Sequence, residues 1–221
     1  MSWSRILYSD ARHDIEAAIV RVLGAQPEFL SAQTAASPRA VGDAIQDILS
    51  DQFQAVLGPY CAHYSPKFAR RAMADLAFTD TDGFYYVVDV KTHRLGTSFN
   101  MPNLTSVERL ARFYEDDQNY FVLLIVKYDV CETRIRVEQV QFVPIEFLSW
   151  ECLTIGALGW GQIQIANANV IKVNEGYSRK RWMLELCDTI LDFYPREIAK
   201  IDKRIERFKG IRQFWEGKTE A

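Results

Sequence analysis

Ala72 to Thr92 reads AMADLAFTDTDGFYYVVDVKT, and this stretch decides the architecture. Two β-rich runs, Met73–Thr79 and Phe84–Thr92, flank the turn cluster Asp80-Thr81-Asp82-Gly83. An Asp-Gly step between two such runs predicts a β-hairpin. Side chains alternate along a strand, so Asp89 and Lys91 share a face and Val90 takes the other. A turn centred near Asp82 sets Asp75 opposite Asp89, with Cβ atoms about 5 Å apart. The hairpin is therefore expected to gather two carboxylates and one ammonium. Adjacent carboxylates repel unless a cation sits between them. The second run (Phe84, Tyr85, Tyr86, Val87, Val88, Val90) is apolar enough for a central strand, where a solvated acidic pair is out of place. A hard divalent ion such as Mg²⁺ accepts one or two carboxylates plus waters and phosphate oxygens. With a lysine beside it to hold the attacking water, the pattern points to phosphodiester cleavage.

Asp75, thirteen residues and then Asp89-Val90-Lys91 resembles the PD-(D/E)xK nuclease signature of type II restriction endonucleases. The run ADLAFTDTDGFYYVVDVKT, the spacer HRLGTSFNM and then Pro102-Asn103 is similar to the HincII-type, EcoRV-like blunt-cutting branch. The likeness covers about Met73 to Leu110 and is traceable in the preceding helix and the last third. One departure is Ala74, where the signature has proline. The resemblance implies an α/β (α+β) fold with a mixed central sheet, holding the catalytic hairpin, flanked by helices on both faces. It implies Mg²⁺ held by Asp75, Asp89 and the Val90 carbonyl, with Lys91 positioning the water. It further implies a homodimer cutting palindromic double-stranded DNA to blunt ends with 5′-phosphate and 3′-hydroxyl termini. A repair or junction nuclease of the same fold, or a DNA-binding protein whose carboxylates are structural, remains an alternative.

Composition bounds these readings. The chain has 221 residues, 48% hydrophobic and 25% charged, which fits one domain with a substantial core. A net charge of −3 makes any DNA-binding face local rather than global. Cys61, Cys131, Cys152 and Cys187 are scattered without a CxxC pair and read as buried free thiols in a reducing cytoplasm. His13, His63 and His93 lack metal-ligand spacing. Charges at Arg5, Asp10, Arg12 and Asp14 argue against a signal peptide, and no apolar run reaches membrane-span length.

In chain order, Asp10–Gly24 predicts a helix, Ala25–Ala36 a loop, and Ser37-Pro38 the start of a second helix ended by Gly58-Pro59. Residues 1–72 are thus expected to be helical, 73–173 to form the catalytic sheet and 177–216 to form C-terminal helices. On the second helix, Asp43 and Asp47 lie away from the apolar stripe and read as a solvated face. The resemblance adds Asp43 as an accessory acidic residue. Tyr64, Lys67, Arg70 and Arg71 suit a phosphate backbone or a neighbouring helix equally. Leu104–Glu115 predicts a short helix, Tyr120–Val130 a buried strand, and Thr133–Val143 its half-exposed antiparallel partner.

Amide side chains read bases in the major groove, which makes Asn100 and Asn103 candidates on the long loop after the motif. Phe99 on the same loop is a candidate wedge. Gly161–Asn169 (GQIQIANAN) adds Asn167 and Asn169 as groove contacts, although asparagine clusters also mark turns. From Tyr177 onward, 11 Lys and Arg face 8 Asp and Glu, a local balance of +3. Pro195 is expected to separate two helices, the second with an Ile198, Ile201, Ile205, Phe208, Ile211 stripe. That stripe fits a core face, and the basic residues around it a phosphate-facing or dimer-forming arm.

Overall fold

The computed structural model describes residues 3–26, 30–65, 73–97, 102–166 and 170–219. Its N-terminal part is α1 (Ala11–Gly24), α2 (Ala32–Ala36) and α3 (Pro38–Leu57). Apolar residues at helical spacing, Val41, Ile45, Leu49, Phe53 and Val56, bury one face of α3. Ser37 accepts a hydrogen bond from the Ala40 amide, and Pro38 fills the first turn where its missing N–H costs nothing. The expected loop over 25–36 is corrected by α2. There Ser31 caps the Thr34 amide, alanines favour helix, and Ala35 is buried. Residues 1–72 are also not all helical, since Cys61–Tyr64 forms β1.

The hairpin forms as β2 (Leu76–Asp80) and β3 (Tyr85–Arg94), paired antiparallel from Leu76↔Val88 to Thr79↔Tyr85. Asp80 builds its turn by accepting the Asp82 and Phe84 amides on Oδ1 and the Tyr86 hydroxyl on Oδ2. Gly83 supplies the φ of 89° that the turn requires. β3 then runs parallel to β5 (Asn119–Cys131), and β6 (Arg134–Pro144) returns antiparallel. The five-stranded sheet is mixed, in the order β1-β2-β3-β5-β6. Its apolar side chains divide by parity. Tyr86, Val88 and Val90 pack under α1 and α3, whereas Val87, Phe121, Leu123 and Ile125 face the opposite core. Each fully buried aliphatic side chain contributes about 1.5–3 kcal/mol.

That opposite core corrects the expectation of one catalytic sheet over 73–173. It is covered by a second sheet, β4 (Asn103–Ser106), β8 (Gln162–Ile165) and β7 (Leu153–Gly156), with α4 (Val107–Phe113). The helix expected over 104–115 therefore begins only at Val107, because Leu104–Ser106 pairs with β8. The C-terminal part is one 38-residue helix, α5 (Arg179–Glu216), rather than two. Pro195 lies inside it. Its ring removes the amide donor to the Leu191 carbonyl, and the turn before it faces solvent, where water satisfies that carbonyl. Trp182 and Leu186 are buried, and Arg179 pairs with the fully buried Glu146 at 3.0 Å. Beyond Lys200 the helix leaves the body, so the stripe expected as core is exposed. Cys152 is buried and Cys61 half-buried, whereas Cys131 and Cys187 are exposed, which corrects their expected burial. Among the described residues no helix is long and apolar enough to cross a membrane.

Candidate functional site

The site lies where β2 begins against the middle of β3. The hairpin register ends at Leu76↔Val88, so Asp75 lies one residue beyond the paired strand, near enough to Asp89 for its charge to be felt there. Asp75 itself sits in a bend before the strand and acts at the sheet edge. Its amide donates to the Val88 carbonyl at 3.0 Å, and its Oδ2 accepts the Val90 amide at 2.7 Å. The carboxylate thus stands in for a strand neighbour. Within a strand, a residue's carbonyl points to the same edge as its amide, so the Val90 carbonyl also faces this edge.

Asp89 is 5% exposed. Its Oδ1 accepts Lys91 Nζ at 2.8 Å, whereas its Oδ2 is buried without a hydrogen-bond partner. Burial pushes the Asp89 carboxyl up to about 7 from its ordinary 3.8. The Lys91 charge and hydrogen bond oppose that shift, and the Asp75 carboxylate adds to it. Orphaned buried acceptors are rare, and this one seeks a proton or a cation.

Lys91 opens into a cavity of about 620 Å³ shared with Gly42, Asp43, Gln46, Pro102, Ile125 and Ile165. This places α3 and the second sheet on opposite walls of one cleft. Gly42 permits the approach of α3, because a Cβ there would lie 2.6 Å from Thr92 Oγ1. Asp43 is exposed on this wall, and Asp47 lines a neighbouring cavity of about 420 Å³ with Asp75 and Gln46. Among the described residues no group of three His, Cys, Asp or Glu side chains gathers as a metal cluster. The acidic core is therefore the Asp75–Asp89 pair.

Sequence reasoning missed Gln46, whose Nε2 donates to Asp75 Oδ1 at 2.5 Å. The only available signal was its place on α3 one turn from Asp43, and a lone glutamine on a polar helix face carries no mark of function.

The two polar segments chosen separately for base contacts meet in the second sheet. Asn103 pairs with Gln164 in register, and Gln164 Nε2 donates to Asn103 Oδ1 at 2.5 Å. Phe99, Asn100, Asn167 and Asn169 lie outside the described residues, as do Lys67, Arg70 and Arg71. Comparison with known proteins finds no family model that matches this chain and no curated protein that does.

The donor set suits a small hard cation. It comprises two carboxylates, one with an unsatisfied buried oxygen, and a backbone carbonyl at an open strand edge. The adjacent ammonium and the cleft beyond it leave room for a phosphate group and water.

Proposed function

We propose that this chain is a Mg²⁺-dependent endonuclease of the PD-(D/E)xK type that hydrolyses phosphodiester bonds in double-stranded DNA. The observation that carries the reading is Asp89, buried and paired to Lys91 at 2.8 Å with its second oxygen unsatisfied, beside Asp75. A purely structural buried carboxylate would be expected to have both oxygens bonded, as Asp80 does.

In this reading Asp75, Asp89 and the Val90 carbonyl hold the ion, while Gln46 and the Val90 amide fix the Asp75 carboxylate. Bound there, Mg²⁺ supplies charge stabilisation for the developing phosphorane and the leaving oxygen. Lys91 holds the attacking water and presents a point charge to the scissile phosphate. In-line attack leaves a 5′-phosphate and a 3′-hydroxyl. Asp43 stands at the cleft rim as an accessory acidic residue. Asn103 with Gln164 offers amide donors and acceptors of the kind that read adenine edges. Phe99, Asn100, Asn167 and Asn169 complete the proposed DNA contacts.

The sequence resemblance supports the finer reading: a restriction-endonuclease-like fold, a homodimer on a palindromic site, blunt ends and a cytoplasmic restriction–modification role. Two-fold protein symmetry matches two-fold DNA symmetry in such enzymes. The test is digestion of phage DNA in Mg²⁺ with an EDTA control. Discrete fragments that vanish with EDTA are expected, and sequencing their ends gives site and cut position. A smear would move the activity to a repair-type nuclease, and intact DNA at all metal concentrations would refute the proposal.

A further inference from the structure

The free end of α5 carries an unpartnered seam. Residues 201–216 are all exposed, and the stretch from Glu197 to Glu216 extends about 30 Å. Ile198, Ile201, Ile205, Phe208, Arg212 and Trp215 recur at alternating steps of three and four. That period is 3.5 residues, the repeat of a helix that winds around another helix, and exposed Ile211 and Phe214 flank it. Phe208 and Trp215 are each 66% exposed. Ile198, Ile201, Ile205, Phe208, Ile211 and Trp215 together present on the order of 600 Å² of apolar surface. This is at the upper limit for a monomer and close to one partner's share of a standard interface.

The flanking charges select the partner and its direction. In a parallel pair of identical helices in register, Arg204 would face Lys209 of the second copy, like against like and twice by symmetry. Reversing one helix changes the pairing. Ile205 then packs on Phe208 of the second copy, Ile198 on Trp215, and Ile201 on the aliphatic stem of Arg212. In the same register Asp202 lies beside Lys209 of the second copy, twice by symmetry. This alignment overlays 197–216 on itself, so each free stretch is covered along its whole length. Asp202 and Lys209 are both exposed and oppositely charged.

We propose that the free end of α5 pairs antiparallel with the same segment of a second copy, forming a two-stranded coiled coil that joins two chains. The pairing needs neither DNA nor metal and stands whether or not the chain is a nuclease.

Sedimentation velocity on the full chain in EDTA, from sub-micromolar to tens of micromolar, tests it. A concentration-dependent dimer is expected. Ile205→Lys with Phe208→Lys should give a monomer whose body melts as the wild type does, since both positions are exposed. Asp202→Lys should weaken the dimer about tenfold, and Asp202→Lys with Lys209→Asp should restore it. A wild-type monomer at every concentration overturns the proposal, as does a dimer that survives the paired lysines. Tighter association of Asp202→Lys would likewise overturn it. Co-sedimentation of a monomeric chain with phosphatidylserine vesicles would identify a membrane-facing helix instead.

Discussion

Asp89→Asn should separate stability from function, with a sign that depends on pH. The folded protein holds the Asp89 carboxyl near 7, against 3.8 ordinarily. The protonated form is therefore favoured by the fold. The stability it contributes is whole below about pH 4 and is lost as pH rises through about 7. Carrying the ionised carboxylate above that range costs the fold about 4 kcal/mol. Asparagine removes this cost with little change of shape, and the opposing Lys91 charge and hydrogen bond are already contained in the net shift. The expected net effect without metal is a gain of about 4 kcal/mol at pH 8 and less than about 2 kcal/mol at pH 5. For a chain of this size that corresponds to about 8–16 °C in Tm at pH 8. Thermal and urea denaturation of both proteins in EDTA between pH 5 and pH 8 measures it. Mg²⁺ should stabilise the wild type at pH 8 and leave the variant unmoved. Parallel pH profiles, or a variant less stable than wild type at pH 8, would refute the reasoning.

Gly42→Ala should destabilise by about 2 kcal/mol by driving a methyl onto Thr92 Oγ1, against a helix-propensity gain of about 1 kcal/mol, and Thr92→Ala should recover most of the loss in urea titrations. Gln46→Ala should lower Mg²⁺ affinity or cleavage by about tenfold to a hundredfold with little change in melting, as read by Mg²⁺ titration of the cleavage rate. Arg179→Ala should cost about 3 kcal/mol in thermal denaturation, because it leaves Glu146 buried and uncompensated and removes a cation stacked on Tyr114 and Tyr120.

The hairpin was legible because its determinants are local. Alternation and an Asp-Gly tip give the register that brings Asp75 beside Asp89. β5 and β6 were legible for the same reason, one as a continuous apolar run and the other as a largely alternating one. α2 was not, since five residues rich in alanine carry little periodic signal. β4 is four residues, and it is a strand because β8, some sixty positions later, pairs with it. Its pattern therefore merged with the helix that follows. The cleft has the same character. Lys91 and Asp43 line one cavity because Gly42 lets α3 approach β3, a closeness no local pattern encodes. Pro195 marked a break by its chemistry, yet the helix runs through it because the carbonyl it orphans lies on an exposed turn.

The most direct measurement is conversion of supercoiled plasmid in Mg²⁺ by wild type, Asp89→Asn and Lys91→Met, purified identically and matched for folding by circular dichroism. Linear or nicked product from the wild type alone, abolished by EDTA, is the expected result. Equal cleavage by all three proteins, or none by the wild type, would contradict the assignment of Asp75, Asp89 and Lys91 as a metal-dependent phosphodiesterase centre.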